Sequence, residues 1–228
     1  MKELSSKSEY EDLYGYFLEH RKSLEKRDDQ KRAPKGTPFY QIFRISKDKI
    51  DSPKVAFSLV STRLEAAIIP AKMKDNILGE TRVLVDHSAY FFSINSPEEV
   101  YFLCAMLNST ALRCFAYDLG FPKGGVPYKQ FYLWTIAILP IPHFSSKNPL
   151  HNEIVASAKT YEKIRNSGNQ TKDSQLQAKE RDLNHLIMKA YGLEKKELEL
   201  LERHHELLRG AHWRTDSEKK VWLKKMKE

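Results

Sequence analysis

The chain has 228 residues, of which 41% are hydrophobic and 11% aromatic; that is enough to bury a sizeable core and too apolar for a disordered polymer. With 38 Lys and Arg against 30 Asp and Glu, the formal net charge is +8, which favours a polyanionic partner because each cation placed on a phosphate releases a condensed counterion. The opening segment MKELSSKSEYEDLYGYF has no apolar signal core, and no run approaches the roughly 20 apolar residues of a membrane span, so the expectation is a cytoplasmic protein without a membrane partner.

In chain order, Leu13, Tyr14, Phe17, His20, Arg21 and Leu24 recur at helical spacing, which predicts a first helix from the Tyr10 region onward. The basic, turn-rich stretch RDDQKRAPKGTP reads as an exposed linker. The period then changes to that of strands in FYQIFRI (39–45) and KVAFSLVST (54–62), with a turn at Asp51, Ser52 and Pro53. AAIIP is a short third strand, and TRVLVD and SAYFFSI, separated near Asp86 and His87, read as a strand pair.

Ser96-Pro97-Glu98-Glu99 carries a helix start: a capping serine, proline at the first helical position, and a glutamate able to close a capping box. Val100, Leu103, Cys104 and Leu107 follow on one face. Asn108-Ser109 restarts a second helix, which Gly120 should end. FPKGGVPYKQF is a loop rich in turn residues, and YLWTIAIL reads as a strand stopped by Pro140 and Pro142. Beyond Asn148 the chain is helical, with stripes at Ile154, Ala158, Tyr161 and Ile164 and at Leu183, Leu186, Ile187, Ala190 and Tyr191. Gly192 should end that second stripe's helix, and a third helix runs from about Lys195 to Arg209. The expected fold is α+β: a mixed or antiparallel sheet followed by a helical segment. The expected layout is an N-terminal helix and basic linker (1–36), an α+β region (37–145), a helical segment (146–210) and a basic tail (211–228).

Catalytic signatures are hard to find. Cys104 and Cys114 lack the close pairing of a zinc knuckle and read as buried thiols. The eight histidines are scattered and form no metal set. Glu194-Lys195-Lys196 looks like half a nuclease motif but starts a helix and lacks a partnering strand. No GxSxG elbow occurs, PKGGVP is too short for a phosphate-binding loop, and Ser109 is better read as a cap.

The order of elements carries a resemblance. VYFLCAMLNSTALRCFAYDLG, a glycine-bearing loop, and YLWTIAILPIP leading into a long helix resemble the core of the TaqI-like C-terminal specificity domain. LNHLIMKAYGLEKKELELLE resembles that family's closing pattern. YGYFLEHRKSLEKR resembles the helix before it, and SAYFFSI the strand before the LNS helix. The similarity spans about residues 10 to 208, and a type I specificity subunit fragment, which has a similar strand-to-helix joint, is the nearest alternative. The resemblance implies a target-recognition domain that reads double-stranded DNA for an adenine-specific methyltransferase, with no catalysis of its own. No NPPY tetrapeptide or FxGxG segment is present, so S-adenosylmethionine would bind a separate methyltransferase domain or subunit and this chain would hold no cofactor. Whether the chain is an excised domain, a truncated product or a separate subunit stays open.

Such a domain needs cations for phosphates and side chains for base edges. In FPKGGVPYKQF, Gly124 and Gly125 would let backbone approach a groove, while Lys123 and Lys129 could meet phosphates or guanine acceptors. Gln130 could pair with adenine, and Tyr128 could stack or wedge; the bland alternative is an ordinary helix-to-strand connection. Arg63, Lys72, Lys74 and Arg82, with Asn76 nearby, form a second candidate set, expected on a hairpin tip able to enter the major groove. Arg27, Lys31, Arg32 and Lys35 suit phosphate tracking or a hinge, and Lys219, Lys220, Lys224 and Lys225 suit a solvated tail. The alternative function is a protein-interaction module docking through the helical tail.

Overall fold

The computed structural model describes residues 10–41, 51–77, 79–85, 88–123, 128–167, 173–194, 196–197, 199–201 and 203–204. Two compact units divide the chain after Lys47. The fold is α+β, with small antiparallel sheets and a larger share of helix.

The described residues of the first unit hold three short helices, α1 (Glu11–Glu19), α2 (Arg21–Glu25) and α3 (Asp28–Lys31). Tyr14 and Phe17 of α1 meet Phe39 and Tyr40, with Phe17 and Tyr40 stacked at 5.7 Å. The linker read from the sequence is therefore partly helix. Arg27 is not a free cation in it: its guanidinium donates to Phe39 O at 2.7 Å, Gln41 O at 3.1 Å and Leu24 O at 3.0 Å. The expected strand FYQIFRI begins in a turn at Phe39 and Tyr40, and its residues from 42 onward lie outside the described residues.

The second unit is built on the sheet β3–β1–β6, formed by β1 (Lys54–Ser58), β3 (Ala66–Ile69) and β6 (Ala89–Ser93), with both pairings antiparallel. The register places Val55, Phe57, Ala66, Ile68, Tyr90 and Phe92 on one face, where Phe57 packs at 5.9 Å from Tyr90 and 6.0 Å from Phe92. Helix α4 (Pro97–Asn108) covers that face with Phe102 and Met106. Helices α7 (Pro149–Asn166) and α8 (Asp173–Ala190) add further layers through Ile154, Val155 and Ile187. Each of these large buried side chains contributes about 1.5–3 kcal/mol of apolar transfer.

Helix ends follow local chemistry. Ser96 Oγ accepts from Glu99 N with Pro97 at the first position, and Asn148 Oδ1 accepts from Leu150 N ahead of α7. Helix α5 (Thr110–Leu119) starts where Ser109 Oγ accepts from Leu112 N and donates to Met106 O at 2.7 Å. Gly192, at φ +66, ends α8 in a Schellman arrangement: Gly192 N donates to Lys189 O and Leu193 N to Met188 O. Gly120 ends α5 for a different reason. Its backbone is extended, and a Cβ there would stand 3.1 Å from Lys129 Cβ and 3.2 Å from the Phe131 ring; close approach, not a left-handed turn, requires glycine.

Two expectations about strands are corrected. YLWTIAIL is not a strand; Leu133–Ala137 forms a short helix, α6. Phe131, Thr135, Ile136 and Leu139 are buried at helical spacing, a period hidden by a continuous apolar run rich in residues that favour strands. TRVLVD and SAYFFSI do not pair. β5 (Gly79–Arg82) pairs with β4 (Lys72–Asp75), whereas β6 pairs with β1. The turn between β4 and β5, where Ile77 N donates to Asp75 Oδ1 at 2.8 Å and Gly79 takes φ +70, supplies the local partner.

A partly buried polar knot ties the sheet to the helices. Asn108 donates Nδ2 to Ala66 O at 2.8 Å and to Cys104 O at 2.9 Å, and its Oδ1 accepts from Ala66 N and from Arg113 Nη2, both at 3.1 Å. Asn108→Ala is expected to lower unfolding stability by about 3 kcal/mol, because the strand amide, its carbonyl and the guanidinium are left unsatisfied. Urea denaturation checks this, and a loss under about 0.5 kcal/mol would show that water replaces the amide without penalty.

Candidate nucleic-acid interface

The eight candidate residues that are described fall on two hairpins and one bend. β4 and β5 form an isolated two-stranded ribbon, with Lys72 opposite Arg82 and Lys74 opposite Glu80. Directly opposed residues share a face, so Lys72, Lys74 and Arg82 form one cationic face interrupted by Glu80. Glu80 accepts from Lys72 Nζ at 2.6 Å, and Arg82 Nε lies 3.1 Å from Asp51 Oδ1 at the entry to β1. Lys74 makes no ion pair with a described residue. At the tip, Ile77 is 91% exposed, a feature the sequence reading passed over for the polar neighbour Asn76.

The ribbon's base is held firmly. Val83 N donates to Ala71 O at 2.9 Å. Lys54, completely buried on β1, donates to Ser52 O at 2.8 Å and to Val83 O at 3.5 Å. Burial pushes the Lys54 ammonium below its ordinary pKa, with Asp51 opposing.

The second hairpin joins β7 (Phe121–Pro122) to β8 (Lys129–Gln130), and β8 also pairs with β2 (Val60–Ser61). Lys123 N donates to Tyr128 O at 3.1 Å across its neck. Gly124 and Gly125 lie outside the described residues. Lys129 has a structural occupation: its ammonium donates to Gly120 O at 3.2 Å and sits 4.5 Å from the Tyr117 ring centre. Gln130 is half-buried, whereas Lys123 and Tyr128 are exposed. Arg63, just past β2, forms an ion pair with Glu65.

These groups do not converge on one point. The ribbon leaves the sheet beside Lys54, where β3 ends at Ile69, and the second hairpin joins beyond the other end of β1, at Val60. Six residue steps separate those positions, with a bend at Leu59, so they lie at most about 20 Å apart along the chain. Arg63 belongs with the second hairpin, because it follows β2, which pairs with β8.

A cluster of half-exposed rings stands beside that hairpin. Phe121 lies 5.8 Å from Tyr132 and 5.5 Å from Trp134, edge to face, and Tyr132 and Trp134 are nearly parallel, with centroids 6.4 Å apart. Reading 132–139 as a strand concealed this grouping, since a strand sends residues 132 and 134 to one face but away from a preceding turn.

Reactive chemistry is sparse among the described residues. No three His, Cys, Asp or Glu side chains group to hold a metal. Glu194 opens the turn after α8, where its backbone N donates to Glu197 Oε2 at 2.7 Å. Both thiols are free of disulfide; burial raises Cys104 and Cys114 to about 11. Among the described residues, no helix is long and apolar enough to cross a membrane. An open groove of about 580 Å³ runs along the end of α8, lined by Asp182, His185, Leu186, Lys189, Leu193 and Glu194. No protein-family model matches the chain, and no curated protein matches it.

The raised thiol values give a direct prediction. A shift from 9.0 to about 11 leaves about 100-fold less thiolate near pH 8. Ellman's reagent should therefore modify the native chain very slowly and both cysteines rapidly in urea; immediate modification of the native protein would contradict the buried placement.

Proposed function

We propose that this chain is a sequence-reading module for double-stranded DNA, acting as the specificity part of an adenine-specific methyltransferase and lacking a catalytic site of its own. The observation that carries the reading is the β4–β5 ribbon. It projects as a two-stranded sheet of its own, with Lys72, Lys74 and Arg82 on one face. Four residues per strand span about 13 Å, and the major groove, about 12 Å wide, admits a two-stranded ribbon. The order of segments around LNS and LPIP, which resembles the TaqI-like specificity domain, supplies the methyltransferase partner. S-adenosylmethionine would bind that partner.

In this reading the two hairpins divide the work. The ribbon enters the groove, its cations meeting phosphates or guanine acceptors and fixing register. The second hairpin, at most about 20 Å away along the chain, brings Lys123 to the backbone farther along the duplex, while Lys129 keeps the hairpin folded. Glu80 restrains affinity: it pairs with Lys72 in the free protein and faces the same phosphates in the complex. The α7–α8 layer is the natural side for the methyltransferase, since its groove mixes Leu186 and Leu193 with charged groups.

Salt dependence tests the reading and separates it from a protein-docking module, which has no polyanion preference. Fluorescence anisotropy with a short labelled duplex should give a linear fall of log affinity with log salt. Replacing Lys72, Lys74 and Arg82 together with alanine should reduce the slope by about 2 to 3, near one for each lost phosphate contact. Glu80→Ala should instead tighten binding. An unchanged slope in the triple variant would remove the ribbon from the interface, and no duplex binding at low salt would overturn the reading.

A further inference from the structure

The aromatic cluster beside the second hairpin has no role in the duplex reading. Trp134 is 49% exposed and Phe121 47%, while Tyr132 is half-buried. Leaving large rings half in water forfeits apolar burial that the nearby core could have supplied. The rings hold one another instead. Phe121 stands edge-on to both neighbours, and Tyr132 and Trp134 lie within 12° of parallel, so flat faces are set in place before any ligand arrives. Their backbone is fixed too: β7 and β8 pair on one side, and Thr135 and Ile136 of α6 are buried on the other.

The charge around the cluster selects its occupant. Between Asp118 and Glu153 the chain contains no acidic residue; Lys123 follows Phe121 by two residues, and Lys129 pairs with Pro122 across the hairpin. Lys129 is already engaged with Gly120 O and Tyr117, whereas Lys123 is exposed at the hairpin neck, one residue beyond β7. Fixed aromatic faces beside a cation match the two parts of a nucleotide, a flat base and a phosphate; the nearest carboxylate along the chain, Asp118, precedes the helix end at Gly120. A base paired inside a duplex shows only its edge, so the matching ligand is an unpaired one.

We propose that Phe121, Tyr132 and Trp134 form a stacking platform for an unpaired nucleobase, with Lys123 on its phosphate. This rests on the reading of the chain as a DNA-binding module and extends it: the ribbon engages paired DNA, and the platform holds a nucleotide that has left the stack.

The test compares a short fluorescein-labelled duplex with the same duplex carrying one unpaired thymidine, using the full chain. The bulged duplex should bind about ten-fold tighter, within the range for one stacked base. Trp134→Ala should bring the ratio of the two affinities to about one, and Trp134→Phe, which restores a ring, should recover most of it. Should Trp134→Ala lose its circular dichroism spectrum, Phe121→Ala takes its place with the same expectation. Equal binding of both duplexes by the wild-type chain overturns the platform and leaves the duplex reader standing. A preference that survives Trp134→Ala and Phe121→Ala overturns it as well, because the selectivity then lies elsewhere. Absence of binding to either duplex overturns both readings. Binding of the bulged duplex alone supports the platform and removes the ribbon as a duplex reader. If the bulge brings no gain and Trp134→Ala changes the sedimentation mass, the rings form a contact between copies and the proposal falls.

Discussion

Asn108 and Arg113 connect the sheet to α4, α5 and α8. Asn108 stands at the C-terminal end of α4 and pairs with both backbone groups of Ala66, giving the first residue of β3 a side-chain partner. Arg113, one turn into α5, reaches Asn108 Oδ1, Leu64 O at 3.2 Å and Glu180 Oε1 of α8 at 3.3 Å. Asn184 of α8 accepts from Thr110 N at 2.9 Å at the start of α5. The Arg113 side chain is only 11% exposed, and burial, with the nearby Arg63 charge, lowers its pKa while Glu180 opposes. A guanidinium withdrawn from water this far is tolerable only with its donors satisfied. Removing any one partner strands the others, so the knot fixes α4, α5, α8 and the start of β3 as a unit.

That constraint explains how a small sheet can present two separate hairpins. With β3 pinned at Ala66, its other end must fall beside Lys54, and the chain turns there into the β4–β5 ribbon. With α5 pinned at Thr110 and Arg113, its far end delivers Gly120 against Lys129 and Phe131, which sets β7 and β8 beside β2. The ribbon is thus positioned by the strand side of the knot and the aromatic platform by its helix side. Rigid supports of this kind are what a surface needs if it is to read a groove rather than only attract one.

Local chemistry was legible in the chain and longer-range partnership was not. Ser96-Pro97, Asn108-Ser109 and Gly192 mark helix ends because a cap depends on residues within one turn. Lys72, Lys74 and Arg82 were expected with Arg63 on one hairpin tip; they lie along β4 and β5, Arg63 lies past β2, and the partner strand of β5 was misassigned. Nothing in TRVLVD distinguishes pairing forward to SAYFFSI from pairing back to KMKD, and the decisive Asp75–Gly79 turn is only a few residues long. The α6 segment failed for another reason: a continuous apolar run carries no period. The aromatic platform went with it, since Phe121, Tyr132 and Trp134 meet only once 133–137 is helical. The partners of Lys129, Gly120 O and the Tyr117 ring, belong to a helix end that the sequence does not bring near it.

The central claim is that a positioned basic ribbon selects a DNA sequence. Selection of bound molecules from a random duplex pool at physiological salt tests it most directly, with the wild-type chain beside the variant in which Lys72, Lys74 and Arg82 are alanine. The account predicts enrichment of one short motif by the wild-type chain and its loss in the variant. Enrichment of the same motif by both proteins, or binding without any enrichment, would contradict it.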